Sequence, residues 1–434
     1  MVEELRKSEF RDPIHGFIDV WEHEKLIIAT PEFQRLRRIH QLGLESYVYH
    51  GAEHSRFGHS IGVMHLAGEA VTKIFDKNKE KLIQAIGGGE KEAKALKKKL
   101  YFTARLAGLL HDIGHAPFSH PGEDKLFEEK IEHENYTIPI MRNSDIASII
   151  DRYKDKTEVG SQDIIDFLDK KCIYQFPFVR DLIDSHYDVD KMDYLLRDSI
   201  YCGVEYGKYD LLRLIDSLTL DTESITGGYE LAIHFDGLHT IESLILARYF
   251  MFTQVYFHKI RRAYDIILTD LIGDCLEEGY GKRTYPTPDK VSDYLKWDDT
   301  VIFTKAKELE NEGDKNSAWR IINRHHYAVV YETYPHPDPR EINTVNSLFK
   351  ECQDKFKGVQ FRLDSAVGHP EAFKQESLPI VGGGTGPRRS SLATESVALK
   401  GLAMINQYRI YADVKENLDQ CKKVKDFCRD FTNK

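Results

Sequence analysis

A chain of 434 residues with 41% apolar residues, 30% charged residues and a formal charge of −10 reads as folded globular protein, not as a disordered tail. The length allows a substantial core and two or three domains. No apolar run approaches the roughly 18 residues of a membrane span, and the opening MVEELRKSEF lacks the apolar stretch of a secretory signal. The six cysteines are scattered without a C-x-x-C pair, which predicts reduced thiols in a cytoplasmic protein. The acidic balance speaks against nucleic acid as a partner and leaves room for a local basic site that takes a small polyanion.

Taken in chain order, residues 31–42 predict a helix, with Thr30 as N-cap, Pro31 at its first position, and Phe33, Leu36, Ile39 and Leu42 at helical spacing. The same periodicity predicts helices over 58–76, 99–113, 122–141, 188–200 and 239–277, the last long enough for two. The lysine-rich run KEAKALKKKL after Gly87-Gly88-Gly89 reads as a solvated helix face. Beyond residue 280 the texture changes. Pro286, Pro288 and the string YPHPDPREI (334–342) disfavour helix, while 327–334 and 407–414 are β-rich and 357–363 alternates. The expectation is a mainly α fold: a helical domain over 1–280, then a smaller α+β domain over 281–434 with a regulatory or oligomerising role. VGGGTGPRRSS (381–391) lacks the G-K-[ST] ending of a phosphate loop and reads as a surface loop.

Four stretches carry candidate chemistry: HSRFGHSIGVMHLAGEA with His59, LAGLLHDIGHAPFSHPGE with His111 and Asp112, IEHEN with His133, and SHYDVDKMDYLLRD with Asp190. Neighbouring helical residues point about 100° apart. His111 and Asp112 can therefore face one ion only near a helix end, which Gly114 and Pro117 supply. Each residue alone is commonplace; the conjunction of His59, the His-Asp pair and Asp190, each in a helix-forming stretch, predicts a metal site. Imidazole and carboxylate together suit Fe, Mn, Zn or Co, with room left for water and substrate. His120 and Glu123 stand at i, i+3. Lys191, Tyr194 and Asp198 share one helix face.

The strings FRDPIHGFI, FQRLRRIHQLG, HSRFGHSIGV, LLHDIGHAPFSH and DVDKMDYLLRD resemble the deoxynucleoside triphosphate triphosphohydrolase branch of the HD superfamily, in its SAM-and-HD-domain group and bacterial relatives, without a SAM domain. The likeness begins near Glu9, is dense to about residue 275 and continues more weakly to about 430. It implies metal-dependent hydrolysis of a dNTP to deoxynucleoside and inorganic triphosphate, with His59, His111, Asp112 and Asp190 as metal ligands. Arg56 and Arg248 would hold the phosphates, Lys191 would add a cation, and Mg²⁺ would accompany the phosphates. His120, oriented by Glu123, would protonate the departing 5′ oxygen, while His115 and His133 with Glu134 would complete the phosphate side. Gln41, Leu42, Tyr194, Asp198 and Tyr256 would surround the deoxyribose, Asp198 and Gln41 near its 3′ hydroxyl. Phe257 stands where the group has a glutamine.

The resemblance further implies a homo-oligomer, dimer or tetramer, and a nucleotide effector. In the group, a guanine nucleotide between subunits is read by an aspartate just before a T-P-x-F-Q-R-L-R string. Here Ala29 precedes Thr30–Arg37, and Ser8, Glu9 and Arg11 replace flanking cationic residues, which predicts that GTP is not an obligate activator. The residues leave other readings open: another HD phosphohydrolase, a single-strand nuclease, or a nucleotide-sensing non-enzyme.

Overall fold

The computed structural model describes residues 5–123, 125–169, 176–222, 229–368, 378–383, 389–403, 405–414 and 417–432. Cys172 and residues 384–388 of the glycine-rich stretch lie outside them. Ahead of the first expected helix lies a hairpin: β1 (Lys7–Asp12) pairs antiparallel with β2 (Gly16–Trp21). The turn between them is set locally, since the Asp12 carboxylate accepts from the Ile14 and His15 amides and Gly16 takes a φ of +75° that favours glycine.

The helix expected over 31–42 is much shorter. It runs as α1 (Pro31–Arg35), capped by the Thr30 hydroxyl, and tightens into one 3₁₀ turn over Leu36–Arg38. Beyond it the backbone pairs with a distant segment instead of continuing its own ladder: the Arg56 amide donates to the Ile39 carbonyl at 3.0 Å and the Gln41 amide to the His54 carbonyl at 2.9 Å.

The frame of the site is two long helices, α2 (Arg56–Lys77) and α3 (Glu90–Leu110). They approach closely at Gly108, where a Cβ would meet the Val63 carbonyl at 3.2 Å. α2 starts at Arg56 itself, and α3 begins ahead of the lysine run and carries it as a largely solvated stretch. The single helix expected over 122–141 is broken into α4 (His120–Glu123) and α5 (Glu134–Arg142). Phe118, Ser119, Lys125 and Lys130 take positive φ around α4, which helix cannot accommodate. After four short helices between residues 146 and 181 comes α6 (Val189–Cys202), capped by Asp188 and ended by Gly203 at φ +70°. The 239–277 stretch divides into α7 (Leu238–Met251), a π turn over Phe252–Tyr256, and α8 (Lys259–Tyr280).

Small sheets complete the molecule. β3 (Leu218–Asp221) and β4 (Glu230–His234) join β7 (Pro379–Val381) and β8 (Arg389–Ser391) in the order β3-β4-β7-β8. β5 (Ala328–Glu332) and β6 (Phe361–Val367) flank β9 (Asn406–Ala412), both antiparallel. β6 starts four residues later than the alternation suggested. Packing is continuous across residue 280: Tyr285, Tyr294, Trp297 and Ile302 lie in one buried cluster with Phe33, Leu106 and Ile267. A second cluster lies between α2, α6 and α7. The third, formed by Val330, Val345, Leu348, Ile410, Val424 and Cys428, belongs to the three-stranded sheet and its helices. The fold is mainly α. Among the described residues the cysteines are free, and no helix is long and apolar enough to cross a membrane.

Candidate metal centre and active site

Three helix ends bring the four candidate ligands together. His59 sits in the first turns of α2, His111 is the C-cap of α3 with Asp112 following, and Asp190 lies in the first turn of α6. The His59 Nε2 lies 2.8 Å from Asp190 Oδ1 and 3.4 Å from Asp112 Oδ2. The His111 Nε2 lies 3.1 Å from Asp112 Oδ1 and 3.7 Å from Asp190 Oδ1. The opposite ring nitrogens are engaged, His59 Nδ1 with Asp193 Oδ2 at 2.8 Å and His111 Nδ1 with the Gly108 carbonyl at 2.7 Å. Those acceptors assign the proton to each Nδ1 and leave each Nε2 lone pair facing the carboxylates. Both Nε2 atoms are buried without a hydrogen-bond partner.

Unshared pairs crowded against carboxylates repel unless a cation lies among them, so the donor set fits a divalent metal. Without a metal the same carboxylates draw a proton onto His59 instead, at the position a cation would take. Burial works against charge on His59, yet the Asp190 and Asp193 carboxylates outweigh it and raise the imidazole to about 10. Burial likewise opposes ionisation of Asp112, but the Arg56 guanidinium and His111 hold its carboxyl well below the usual range.

Sequence reasoning missed the support of this centre. Asp193 is fully buried and also meets His15 Nε2 at 2.7 Å and Arg197 at 2.7 and 2.8 Å. Arg197 in turn reaches Asp12 at 3.0 Å. The available signal was the i, i+4 carboxylate–guanidinium pair on the apolar face of α6, together with the otherwise unassigned FRDPIHGFI string.

Beside the centre lies a second cluster in which Glu123 serves three imidazoles. Its Oε1 meets His115 Nδ1 at 2.6 Å, and its Oε2 meets His133 Nδ1 at 3.2 Å and His120 Nδ1 at 3.3 Å. His115 and His133 stack with centroids 3.7 Å apart. The expected His120–Glu123 pair exists, but the shortest contact of Glu123 is with His115, and the His120 side chain is 69% exposed. Glu134 is exposed and 3.7 Å from His133. Burial, then Arg56 and His133, push His115 down to about 4. Burial also lowers His133, but Glu123 outweighs it and raises that imidazole to about 9. One ligand atom from each of these four residues lies within 4.8 Å of the others, a spacing that can also hold an ion.

A pocket of about 830 Å³ opens onto the centre. Its wall includes Arg56, Lys191, Arg248, Tyr194, Tyr256, Asp198, Gln41 and Leu42, together with Asp190 and His120. His59, His111 and Asp112 contact or adjoin Asp190 but lie outside the lining, as do His115, Glu123 and His133. Arg56 Nη1 donates to Asp112 at 2.6 Å, and Lys191 Nζ to Asp188 at 2.7 Å. Arg248 keeps Nε and Nη1 buried without a hydrogen-bond partner. The Tyr256 hydroxyl donates to Asp198 Oδ2 at 2.7 Å. The far wall, which no spacing pattern pointed to, holds Arg261 and Asp265 from α8 and Arg362 and Asp364 from β6.

A helical bundle whose helix ends gather two histidines and two aspartates, one His-Asp pair adjacent in sequence, is the architecture of an HD-type hydrolase. The chain belongs to the HD-domain family: it matches the HD domain over residues 56–198 and the HD-associated region over residues 209–336. It is 34% identical to the uncharacterized protein YwfO of Bacillus subtilis over 86% of this chain and 83% of that one. It is 31% identical to the deoxynucleoside triphosphate triphosphohydrolase SAMHD1 homolog of Dictyostelium discoideum over 75% of this chain, spanning 61% of that protein. A hypothetical protein from Aquifex aeolicus has a similar crystal structure, with a TM-score of 0.74, 26% identity, and coverage of 96% of this chain and 100% of that one.

Proposed function

We propose that this protein hydrolyses dNTPs to deoxynucleoside and inorganic triphosphate. One observation carries the reading: a single pocket of about 830 Å³ has a cationic set, Arg56, Lys191 and Arg248, beside the candidate metal centre, and Gln41, Leu42, Asp198 and Tyr256 on the same wall. The likeness to the SAMHD1 homolog supports the same substrate class.

His59, His111, Asp112 and Asp190 would hold a divalent ion, of Fe, Mn, Zn or Co type. Such an ion supplies Lewis acidity and lowers the pKa of water. The rest is work for the chain's own side chains. A triphosphate carries about four negative charges, and Arg248, Arg56 and Lys191 replace part of the water that solvates them. The partnerless Nε and Nη1 of Arg248 are donors held ready for phosphate oxygens. Water adds to the α-phosphorus as the bond to the 5′ oxygen breaks, and His120 delivers the proton that the leaving oxygen takes up. Glu123, beneath His115, His120 and His133, holds that group of imidazoles in place. Leu42 and Tyr256 crowd the sugar and leave a 2′ hydroxyl unpaired, which disfavours ribose.

A screen of nucleotides with analysis of the phosphate product tests the reading. The expected products from a dNTP in ¹⁸O water are label in inorganic triphosphate and none in the nucleoside. Nucleoside monophosphate with pyrophosphate, or turnover confined to cyclic dinucleotides, alarmones or single strands, refutes it.

A further inference from the structure

His54, the first residue of the HSRFGHS string, has no role in the chemistry above, yet it touches two pocket residues at once. Its ring Nε2 lies 2.8 Å from Asp198 Oδ1, and its backbone carbonyl accepts from the Gln41 amide at 2.9 Å. The ring is 4% exposed and stacks on Tyr201 with centroids 4.5 Å apart and planes 18° apart. The loop can lie this close to the end of α6 because residue 51 is glycine, where a Cβ would stand 2.5 Å from the Tyr201 carbonyl oxygen. An isolated bridge between His40 and Ser55 ties the strands of chain on either side.

Hydrogen-bond logic then restricts Asp198. A carboxylate only accepts, so the proton of the His54 ring is on Nε2; Nδ1, buried without a partner, is the free lone pair. The Tyr256 hydroxyl occupies the other carboxylate oxygen at 2.7 Å. Asp198 is thus gripped on both oxygens and cannot rotate, while each oxygen keeps a further lone pair for a ligand donor. Gln41 Oε1, also buried and without a partner, belongs to the same wall.

We propose that His54 is a positioning residue for the sugar end of the pocket: its ring fixes the Asp198 carboxylate and its carbonyl fixes the Gln41 backbone, so that the pocket selects a nucleotide with a free 3′ hydroxyl. The inference rests on the deoxynucleotide reading above. The test compares a 2′-deoxynucleoside triphosphate with its 2′,3′-dideoxy counterpart in the parent, His54→Leu and His54→Gln proteins. His54→Leu lowers kcat/KM for the deoxy substrate by about 10- to 100-fold and leaves the dideoxy substrate within about twofold. The loss falls mainly in KM, because the hydroxyl is held alike before and during cleavage. His54→Gln, whose amide can donate to Asp198, recovers at least about a third of the discrimination. Equal losses on both substrates, or an unchanged ratio, overturn the inference and leave the hydrolase reading standing. A parent protein that hydrolyses no dNTP removes that reading, and this inference with it. Where His54→Leu fails to fold by circular dichroism, Tyr201→Leu takes its place: it keeps the imidazole but removes its stacking surface, and its deoxy-to-dideoxy ratio is expected to drop by about threefold or more, an unchanged ratio again counting against the inference.

Discussion

Asp112 is heavily engaged within the site. It faces His59, His111 and His115 and takes a 2.6 Å hydrogen bond from Arg56. Asp112→Ala and His111→Ala are each expected to lose bound transition metal and turnover together while circular dichroism stays helical. Elemental analysis of the purified variants checks this, and a variant that keeps both metal and activity removes the basis for the site. His120 has a different position, on the pocket wall with an exposed ring. His120→Ala is expected to keep its metal and lose about 10²- to 10⁴-fold in kcat, the range of a lost general acid. An unaltered kcat passes the acid role to His133. Glu123→Ala is expected to cost at least as much as His120→Ala, since Glu123 supports three imidazoles and not one. Steady-state kinetics of the two variants side by side decide the order.

At the scale of elements, the centre depends on how closely α2 and α6 pass. A Cβ on Gly62 would lie 1.9 Å from Asp193 Oδ1 and 2.6 Å from Arg197 Nη2. Gly62→Ala therefore pushes Asp193 off His59 Nδ1 and is expected to weaken metal binding by about 10- to 100-fold, the usual cost of losing such a supporting contact. Metal-competition titration measures it, and wild-type affinity in the variant shows that the helices can separate without loss. The helices carrying His59, the His-Asp pair and Asp190 were legible in the sequence because their apolar periodicity is long and uninterrupted. Their support was not, because His15 and Asp193 stand 178 positions apart and no local spacing joins them. The 122–141 stretch misled for a related reason: its apolar residues recur helically, yet the contacts of Glu123 with His115 and His133 bend the chain between α4 and α5. The helix at Pro31 ended early because Ile39 and Gln41 found backbone partners near residue 55. The pocket's far wall was hidden because Arg362 and Asp364 arrive on β6 from a distant part of the chain.

For the whole molecule, the join between the hairpin and the helical frame sets an acid limit. His65 on α2 lies with its ring 5.5 Å from that of His15. Burial lowers it to about 4, and His15 and Arg105 add to the effect against weaker opposition from Asp19 and Asp12. The unfolded chain takes up this proton near pH 6.5 and the folded one only near 4, so stability is complete above 6.5 and drains as pH falls between them. At pH 5 the loss is up to about 2 kcal/mol. Urea unfolding at pH 7.5 and 5 is expected to show a smaller difference for His65→Gln than for the parent, and equal differences count against it.

Regulation is the other property of the whole molecule, and it turns on the surface near Ala29. This exposed residue is the C-cap of the short helix Glu22–Ile28 and has no side-chain acceptor for guanine N1 and N2. The two neighbours that could still meet a nucleotide are engaged with the protein. The Gln34 amide donates to the Ile28 carbonyl at 2.7 Å, Arg37 Nε donates to Gln34 Oε1 at 2.9 Å, and the Arg37 guanidinium lies over the Phe57 ring at 3.5 Å. Replacing a charged acceptor by alanine costs roughly 1.5 to 3 kcal/mol, about 10- to 150-fold in affinity, before Gln34 and Arg37 are pulled from their present partners. GTP is therefore expected not to be an obligate activator; turnover is expected either to be constitutive or to be controlled by a different nucleotide, such as a dNTP. Assaying each dNTP without GTP and then across micromolar to millimolar GTP decides the matter. Strict dependence on micromolar GTP means that the guanine is read by residues other than those around Ala29.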